Sequence, residues 1–153
     1  MARVLVSGLV NLETTVKVDA FPIPYFPVRY PFFGVKSEVS GVGYNVAKAL
    51  RALGDAPLLL SLVAPDLAGR QVRDSLSRDG LDGFWVRDGV RETAQSVILY
   101  DGEGRRQIHV DLKDVQDRPY PKELFSQALA ACDAAALCNV NFSRPFLSVS
   151  VST

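Results

Sequence analysis

The chain is sparing with the residues that carry the most conspicuous chemistry. It has two cysteines, one methionine and one tryptophan in 153 residues, and His109 is its only histidine. Cys132 and Cys138 are spaced more widely than a zinc or redox pair requires. Both lie in apolar surroundings, so they read as buried free thiols rather than a disulfide, which fits a reducing cytoplasm. His109 falls on the polar side of an alternating stretch and reads as a surface residue, leaving no metal site of the histidine type. No serine sits in a nucleophile elbow. Neither sign of charge is in excess: 17 Lys+Arg balance 17 Asp+Glu. No field therefore exists to hold nucleic acid or an anionic membrane. Apolar runs are short and broken by Gly, Pro or charge, which excludes a transmembrane helix, and the opening Met1-Ala2-Arg3-Val4 is no signal peptide.

What is present is enough apolar material, 48% of residues, for one domain with a core. Residues 3–7, 57–64 and 134–140 are apolar runs of strand length. Between them lie amphipathic segments. Residues 46–53 place Val46, Ala49, Leu50 and Leu53 on one face and end at Gly54. Residues 66–77 put Leu67, Val72 and Leu76 inward, with Asp66 as a helix N-cap. Residues 121–131 open on Pro121 and bury Leu124, Phe125, Ala128 and Leu129. Apolar strands separated by amphipathic helices predict an α/β fold, a parallel sheet with helices on both faces in three layers.

Other stretches alternate and do not belong inside that sheet. Residues 14–19 read as a half-exposed strand and 34–40 as a returning strand, and Gly80 to Gly83 turns the chain into a short strand over 84–86. Residues 94–100 and 106–112 form a hairpin around Asp101-Gly102-Glu103-Gly104. In its second arm Ile108, Val110 and Leu112 are expected on a covered face, and Gln107, His109 and Asp111 on a wet one. These pieces predict a small antiparallel sheet overhanging the strand C-termini as a lid, where ligands of open α/β sheets bind. Pro22, Pro24, Pro27 and Pro31 keep residues 21–33 out of helix or central strand, and the aromatics there read as loop packing. Residues 148–153 read as a frayed tail.

The run Ser40-Gly41-Val42-Gly43-Tyr44-Asn45-Val46 is a glycine-rich loop feeding a helix, with Asn45 at the expected N-cap. It is not a dinucleotide fingerprint, because Val46 stands where a third Gly is needed, and it lacks the Gly-Lys-Ser/Thr of a Walker loop. Taken alone it is either a cradle for a polyol or anion, or a tight turn without a ligand. Asn11 and Glu13 lie two apart after the first strand, share a face in extended chain, and have the donors and acceptors that sugar hydroxyls need; water would satisfy them equally. Asn139 and Asn141 end the third apolar run, at the sheet edge where sites occur or as a cap before Pro145.

Together these residues resemble the pfkB-type carbohydrate kinases, the ribokinase family. The resemblance rests on Gly8-Leu9-Val10-Asn11-Leu12-Glu13, on Ser40 to Ala47 followed by Leu53-Gly54, and on the order Asp66, Gly69, Gly80-Leu81-Asp82, Thr93, Asp101-Gly102-Glu103-Gly104. It implies a ribokinase-like fold over residues 1–147, incomplete, with lid segments at about 14–40 and 93–112. By that resemblance Asn11, Glu13, Gly41, Gly43, Asn45 and Asn141 are substrate-binding residues for a sugar or nucleoside. Glu13 stands where members commonly carry Asp, and Asn141 where ribokinase-like members carry an acid, so ribose is not singled out. The family also implies phosphoryl transfer from ATP with Mg²⁺. Its second signature, an Asp-Thr-x-Gly-Ala-Gly-Asp-like stretch supplying anion hole and base, has no match here, so the chain is expected to be inactive alone. The alternatives are a non-catalytic binding module and a truncated remnant. A homodimer through the lid is a further expectation of the resemblance.

Overall fold

The computed structural model of the chain describes residues 1–138 and 140–147. Strands β1 (Arg3–Ser7), β4 (Ala56–Val63), β5 (Val86–Asp88) and β8 (Ala134–Leu137) form one sheet in the order β5-β4-β1-β8. Its described pairings are all parallel. Because side chains alternate along a strand, each apolar run serves two cores. Leu5, Leu58, Leu60 and Leu62 face one way and pack with Phe125 and Ala128 of α3 (Lys122–Ala130), Tyr120, Phe142 and Phe146. Val6, Leu59 and Val63 face the other and pack with Tyr44 and Ala47 of α1 (Val42–Ala52) and Val72 and Leu76 of α2 (Leu67–Arg78). The three-layer parallel arrangement is thus as expected. Each large side chain buried in either core contributes about 1.5–3 kcal/mol.

The second sheet comprises β2 (Asn11–Lys17), β3 (Val35–Ser40), β6 (Gln95–Tyr100) and β7 (Arg106–Asp111), in the order β3-β2-β6-β7. Its outer pairs are antiparallel, and β2 runs parallel to β6. The hairpin turn is held by Asp101, whose carboxylate accepts from the backbone N–H of Glu103 and Arg105 (both 3.0 Å) and from the Arg105 guanidinium (2.8 Å). Burial would raise that carboxyl, but Arg105 and the two amides hold it below the usual carboxylate range.

Several expectations are corrected. Helix α1 starts at Val42, not Val46, and buries Gly43, Tyr44 and Ala47, while Leu53 is 80% exposed and Ala49 faces outward. The reason is steric. A Cβ on Gly43 would stand 2.6–2.7 Å from the backbone of Gly8, and one on Gly8 would stand 2.7 Å from Gly43 Cα. Two glycines face to face let the helix backbone lie on the chain leaving β1, which selects the helix face. The buried Tyr44 hydroxyl then donates to Asp79 at the end of α2. At its far end α1 closes as expected. Gly54 has φ +90°, its N–H bonds the Arg51 carbonyl at 3.1 Å, and Asp55 N–H bonds that of Leu50 at 3.0 Å.

In α2, Leu67 is exposed rather than inward. The strand expected over 84–86 is a 3₁₀ turn, Gly83–Trp85, followed by β5. Strand β8 stops at Leu137, three residues early, because its parallel register with β1 ends at the pair Ser7↔Leu137. The aromatics of residues 21–33 pack within their loop, as expected, with Tyr30 stacked on Phe32 and Arg29 over Phe26, but Tyr25, Phe26, Tyr30, Phe32 and Phe33 are exposed. Both cysteines are free but only half-buried. Strand β7 is exposed along its whole length, so Ile108 and Val110 are not covered by the core. The tail expected to fray lies outside the described residues.

Substituting Gly43→Ala is expected to destabilise the chain by about 2–3 kcal/mol through overpacking against Gly8. Gly102→Ala, where an added Cβ meets nothing within 4 Å, serves as the control and should stay within about 0.5 kcal/mol. Urea unfolding of both variants provides the comparison.

Candidate functional site

The chain crosses from the parallel sheet to the small sheet at Leu9–Val10 and returns at Ser40–Gly41. Those crossings lie side by side, because Asn11 pairs with Ser40. Between them and β6–β7 opens a cleft of about 560 Å³, lined by Asn11 and Glu13 of β2, Ser40 and Gly41, Val42, Asn45, Val46 and Ala49 of α1, Ser96 and Ile98 of β6, and Ile108 and Val110 of β7. The register explains this grouping. Glu13 pairs with Ser96 and Thr15 with Ile98, while Ser96 pairs with Val110 and Ile98 with Ile108, so these side chains share one face of the small sheet.

Asn11 is the most informative residue in the cleft. It is 3% exposed, its Nδ2 donates to Ser96 Oγ at 2.8 Å, and its Oδ1 has no partner among the described residues. Whichever way the amide is turned, Ser96 satisfies one end and leaves the other unmet. A buried polar atom left unsatisfied costs about 1–3 kcal/mol unless a ligand or water completes it. That atom lies against Gly41, where an added Cβ would stand 3.0 Å from Oδ1 and strike the Leu9 carbonyl. Gly41 has φ +111°, a conformation that L side chains rarely adopt, so glycine is required there on two counts.

Glu13 is half-buried in the same cleft and directly opposite Glu38 across the β2–β3 pair. Neither carboxylate has an ion-pair partner among the described residues. Like charges facing across strands destabilise a sheet, so this pair breaks a local stability rule at the cleft.

The glycine-rich loop is the first turn of α1. Gly41 is the N-cap, Gly43 N–H donates to the Leu9 carbonyl at 3.0 Å, and Asn45 N–H makes the first helical bond to Gly41 at 2.9 Å. Asn45 therefore lies one turn inside the helix rather than at its cap. Its side chain reaches Ser40 Oγ at a long 3.4 Å. Among the described residues no side chain caps α1, and no acid sits in its first turn, so apart from the Gly43 N–H bond to Leu9 its positive end opens on the cleft. Gly43 does not line the cleft; it is consumed in the contact with Gly8. Asn141 lies in the short helix α4 (Val140–Ser143) rather than at a strand end, and its side chain, like all of Asn139, lies outside the described residues. Of the expected residues, the cleft thus brings together Asn11, Glu13, Gly41 and Asn45. It adds Ser40, Ser96 and an apolar wall that sequence reasoning missed. The parity of Ser96 with Ile98 in the hairpin was the available signal.

One further device sets the lid on the core. Asp66 caps α2 through Gly69 N–H at 2.7 Å, as expected, and also accepts from Thr93 N–H and Thr93 Oγ1, both at 2.8 Å. The Ala64 N–H donates in turn to Thr93 Oγ1 at 2.9 Å. This clasp ties the end of β4 and the start of α2 to the entry of β6, three residues before Ser96. Burial would raise the Asp66 carboxyl, but the amides of Thr93 and Gly69 and the Thr93 hydroxyl outweigh it and hold it below the ordinary range.

Residues 1–149 match the profile of the pfkB family carbohydrate kinases. The chain belongs to that family. No curated protein matches it by sequence. Among solved structures it is similar to a microbiome-derived acarbose kinase, at 22% identity and a TM-score of 0.86 over 99% of this chain and 50% of that one. It is similar to a ribokinase from Arabidopsis thaliana complexed with ribose and ATP, at 14% identity and a TM-score of 0.69 over 89% of this chain and 45% of that one. It also matches a nucleoside kinase from Burkholderia thailandensis in complex with inosine, at 18% identity and a TM-score of 0.57 over 72% of this chain and 35% of that one. At these identities the likeness speaks for the ribokinase-like fold alone. The chain spans about half the length of the first of these structures.

Replacing Asp66 by Ala is expected to cost about 1–2 kcal/mol at pH 7. A lowered carboxyl stabilises the fold above the unfolded value near pH ~4 and loses that contribution as pH falls through the lowered folded value. Urea unfolding at neutral and acid pH should therefore show the gap between native chain and variant narrowing on the acid side. A gap of constant size would mean that the carboxylate charge is not what the clasp uses.

Proposed function

We propose that this chain is the sugar-binding half of an ATP-dependent carbohydrate kinase, gripping a sugar or nucleoside through Asn11, Glu13, Gly41 and Asn45. The single observation that carries this reading is the buried Asn11 amide with one end unmet beside the uncapped start of α1. A hydroxyl group can donate and accept at once, so it suits an unmet amide, an unpaired carboxylate and free helix-terminal N–H groups together. Membership of the pfkB family supports the same assignment. So does the inosine or ribose that the two structural relatives hold, by their descriptions.

The reaction class is phosphoryl transfer from ATP to a sugar or nucleoside hydroxyl. Its transition state is stabilised chiefly by positioning and by charge around the transferred group. The residues present do not fit that part of the chemistry. The Asp-Thr-x-Gly-Ala-Gly-Asp-like stretch that supplies anion hole and base in the family has no match in this sequence. The one uncapped helix start in the cleft is shared with Asn11 and Glu13. We therefore assign the nucleotide and Mg²⁺ sites to residues outside this chain, and no step of the transfer is derived from it. What these side chains do is hold the acceptor: Glu13 accepts from hydroxyls, the Asn11 amide fixes orientation, and the clasped lid covers the site. A homodimer through the lid and a cytoplasmic location belong to the same proposal.

Titration of the 153-residue chain with common pentoses, hexoses and nucleosides should reveal binding that Glu13→Ala weakens about tenfold or more, the worth of a hydrogen bond to a charged group. A coupled ADP assay on the same protein should register little or no turnover. Robust turnover would overturn the assignment of the catalytic half elsewhere, and saturable binding unaffected by Glu13→Ala would overturn the assignment of the site.

A further inference from the structure

The two ends of the cleft differ in chemistry. Its hydrogen-bonding groups gather where β2 and β3 leave the core, at Asn11, Glu13, Ser40 and Ser96. The far wall is apolar: Ile98 on β6, Ile108 and Val110 on β7, and Val42 and Val46 across on α1. Ile108, Val110 and Val42 are 50%, 52% and 47% exposed, which is unusual for side chains that share one concave surface. Singly exposed apolar residues are ordinary, but these are contiguous with a buried amide whose Oδ1 has no partner among the described residues.

The register sets the scale. Glu13, Ser96 and Val110 lie abreast on β2, β6 and β7, so Glu13 and Val110 are two strand spacings apart, about 10 Å. A ligand whose hydroxyls engage Asn11 and Glu13 reaches the β7 wall only if it extends beyond a single sugar ring. A cleft of about 560 Å³ falls within the range that takes drug-sized ligands, in which a few polar groups orient a largely apolar contact.

We infer that the preferred ligand of this cleft is a polyol carrying an apolar appendage, an aryl or base-like group that lies against Ile98, Ile108 and Val110, rather than a bare sugar. This inference rests on the sugar-binding reading above and adds the substrate class to it. The apolar wall is the second half of the same concave surface that holds the unmet Asn11 atom, and that continuity favours one extended small molecule over a protein surface. The gain from covering the wall comes from apolar area removed from water, and the area of one aromatic face corresponds to about a tenfold change in affinity.

The test compares a panel of common pentoses and hexoses, each beside its phenyl glycoside, with inosine beside ribose, by isothermal titration and ligand-observed NMR on the 153-residue chain. The expected result is that the appended member of the bound pair is about tenfold tighter. The ratio should fall toward one in the double variant Ile108→Thr, Val110→Thr. Both positions are exposed and threonine keeps β-branching, so the variant should retain the native circular dichroism spectrum. Equal affinities within each pair, or an advantage that survives the double variant, would overturn this inference and leave the sugar-binding reading standing. Binding of neither member of any pair would overturn both. Sedimentation decides the remaining occupant: a dimer of the native chain that the double variant dissociates would make the wall a contact between copies and overturn the inference.

Discussion

The backbone contact between Gly8 and Gly43 is the constraint on which the rest of the cleft depends. It brings the first turn of α1 onto the chain that leaves β1, where Gly43 N–H bonds the Leu9 carbonyl. With the helix seated there, Gly41 must take a left-handed φ to turn the chain, and the helix start then faces Asn11. Any side chain at either glycine would push the helix away from the sheet. The positive end of α1, the Asn11 amide and the lid strands would no longer enclose one space. Here close packing and ligand geometry are one requirement, because glycine provides the close approach that both need.

Stability and site are arranged in separate layers. The parallel sheet spends its alternate side chains on two cores, one under α1 and α2 and one under α3, and only the margins of the lid join them, through Val39 of β3, Ala94 and Leu112. The lid is held by backbone pairing and by polar devices: the Asp66–Thr93 clasp at the entry of β6 and the Asp101 turn at the hairpin tip. A sheet held in this way has a face free to meet something other than the core. The like-charge pair Glu13–Glu38 and the exposed Ile108 and Val110 both lie in that sheet, where a purely structural sequence would have placed a salt bridge and threonines.

Much of this was legible along the chain because it depends on local rules. Strand β1 follows from its continuous apolar run and the hairpin β6–β7 from alternation and turn residues, and Asp66 is an N-cap by its side chain and position. Asn11 and Glu13 share a face because strand periodicity is two, whatever the strand packs against. The misreadings came from elements whose outcome depends on a distant partner. The apolar positions Val46, Ala49, Leu50 and Leu53 form a regular helical stripe, yet only Val46 and Leu50 pack against the core, in part, and the residues the helix buries are Gly43, Tyr44 and Ala47. The aromatics Tyr25, Phe26, Tyr30, Phe32 and Phe33 lie exposed beyond the far ends of β2 and β3, where they pack within their own loop, as their prolines imply, rather than on either core.

By itself the amino-acid sequence determined the kinds of element, their order and the residue types offered to a ligand, since those follow from periodicity, capping and turn chemistry within a few residues. Only the tertiary structure decided which face of α1 is buried, that Asn45 lies inside the helix, that Gly43 packs against Gly8, and that one Asn11 amide atom has no partner among the described residues beside an apolar wall. Those outcomes depend on contacts between Gly8 and Gly43 and between Asn11 and Ser96, pairs far apart in the chain, and no local pattern encodes the distance at which two such segments come to rest.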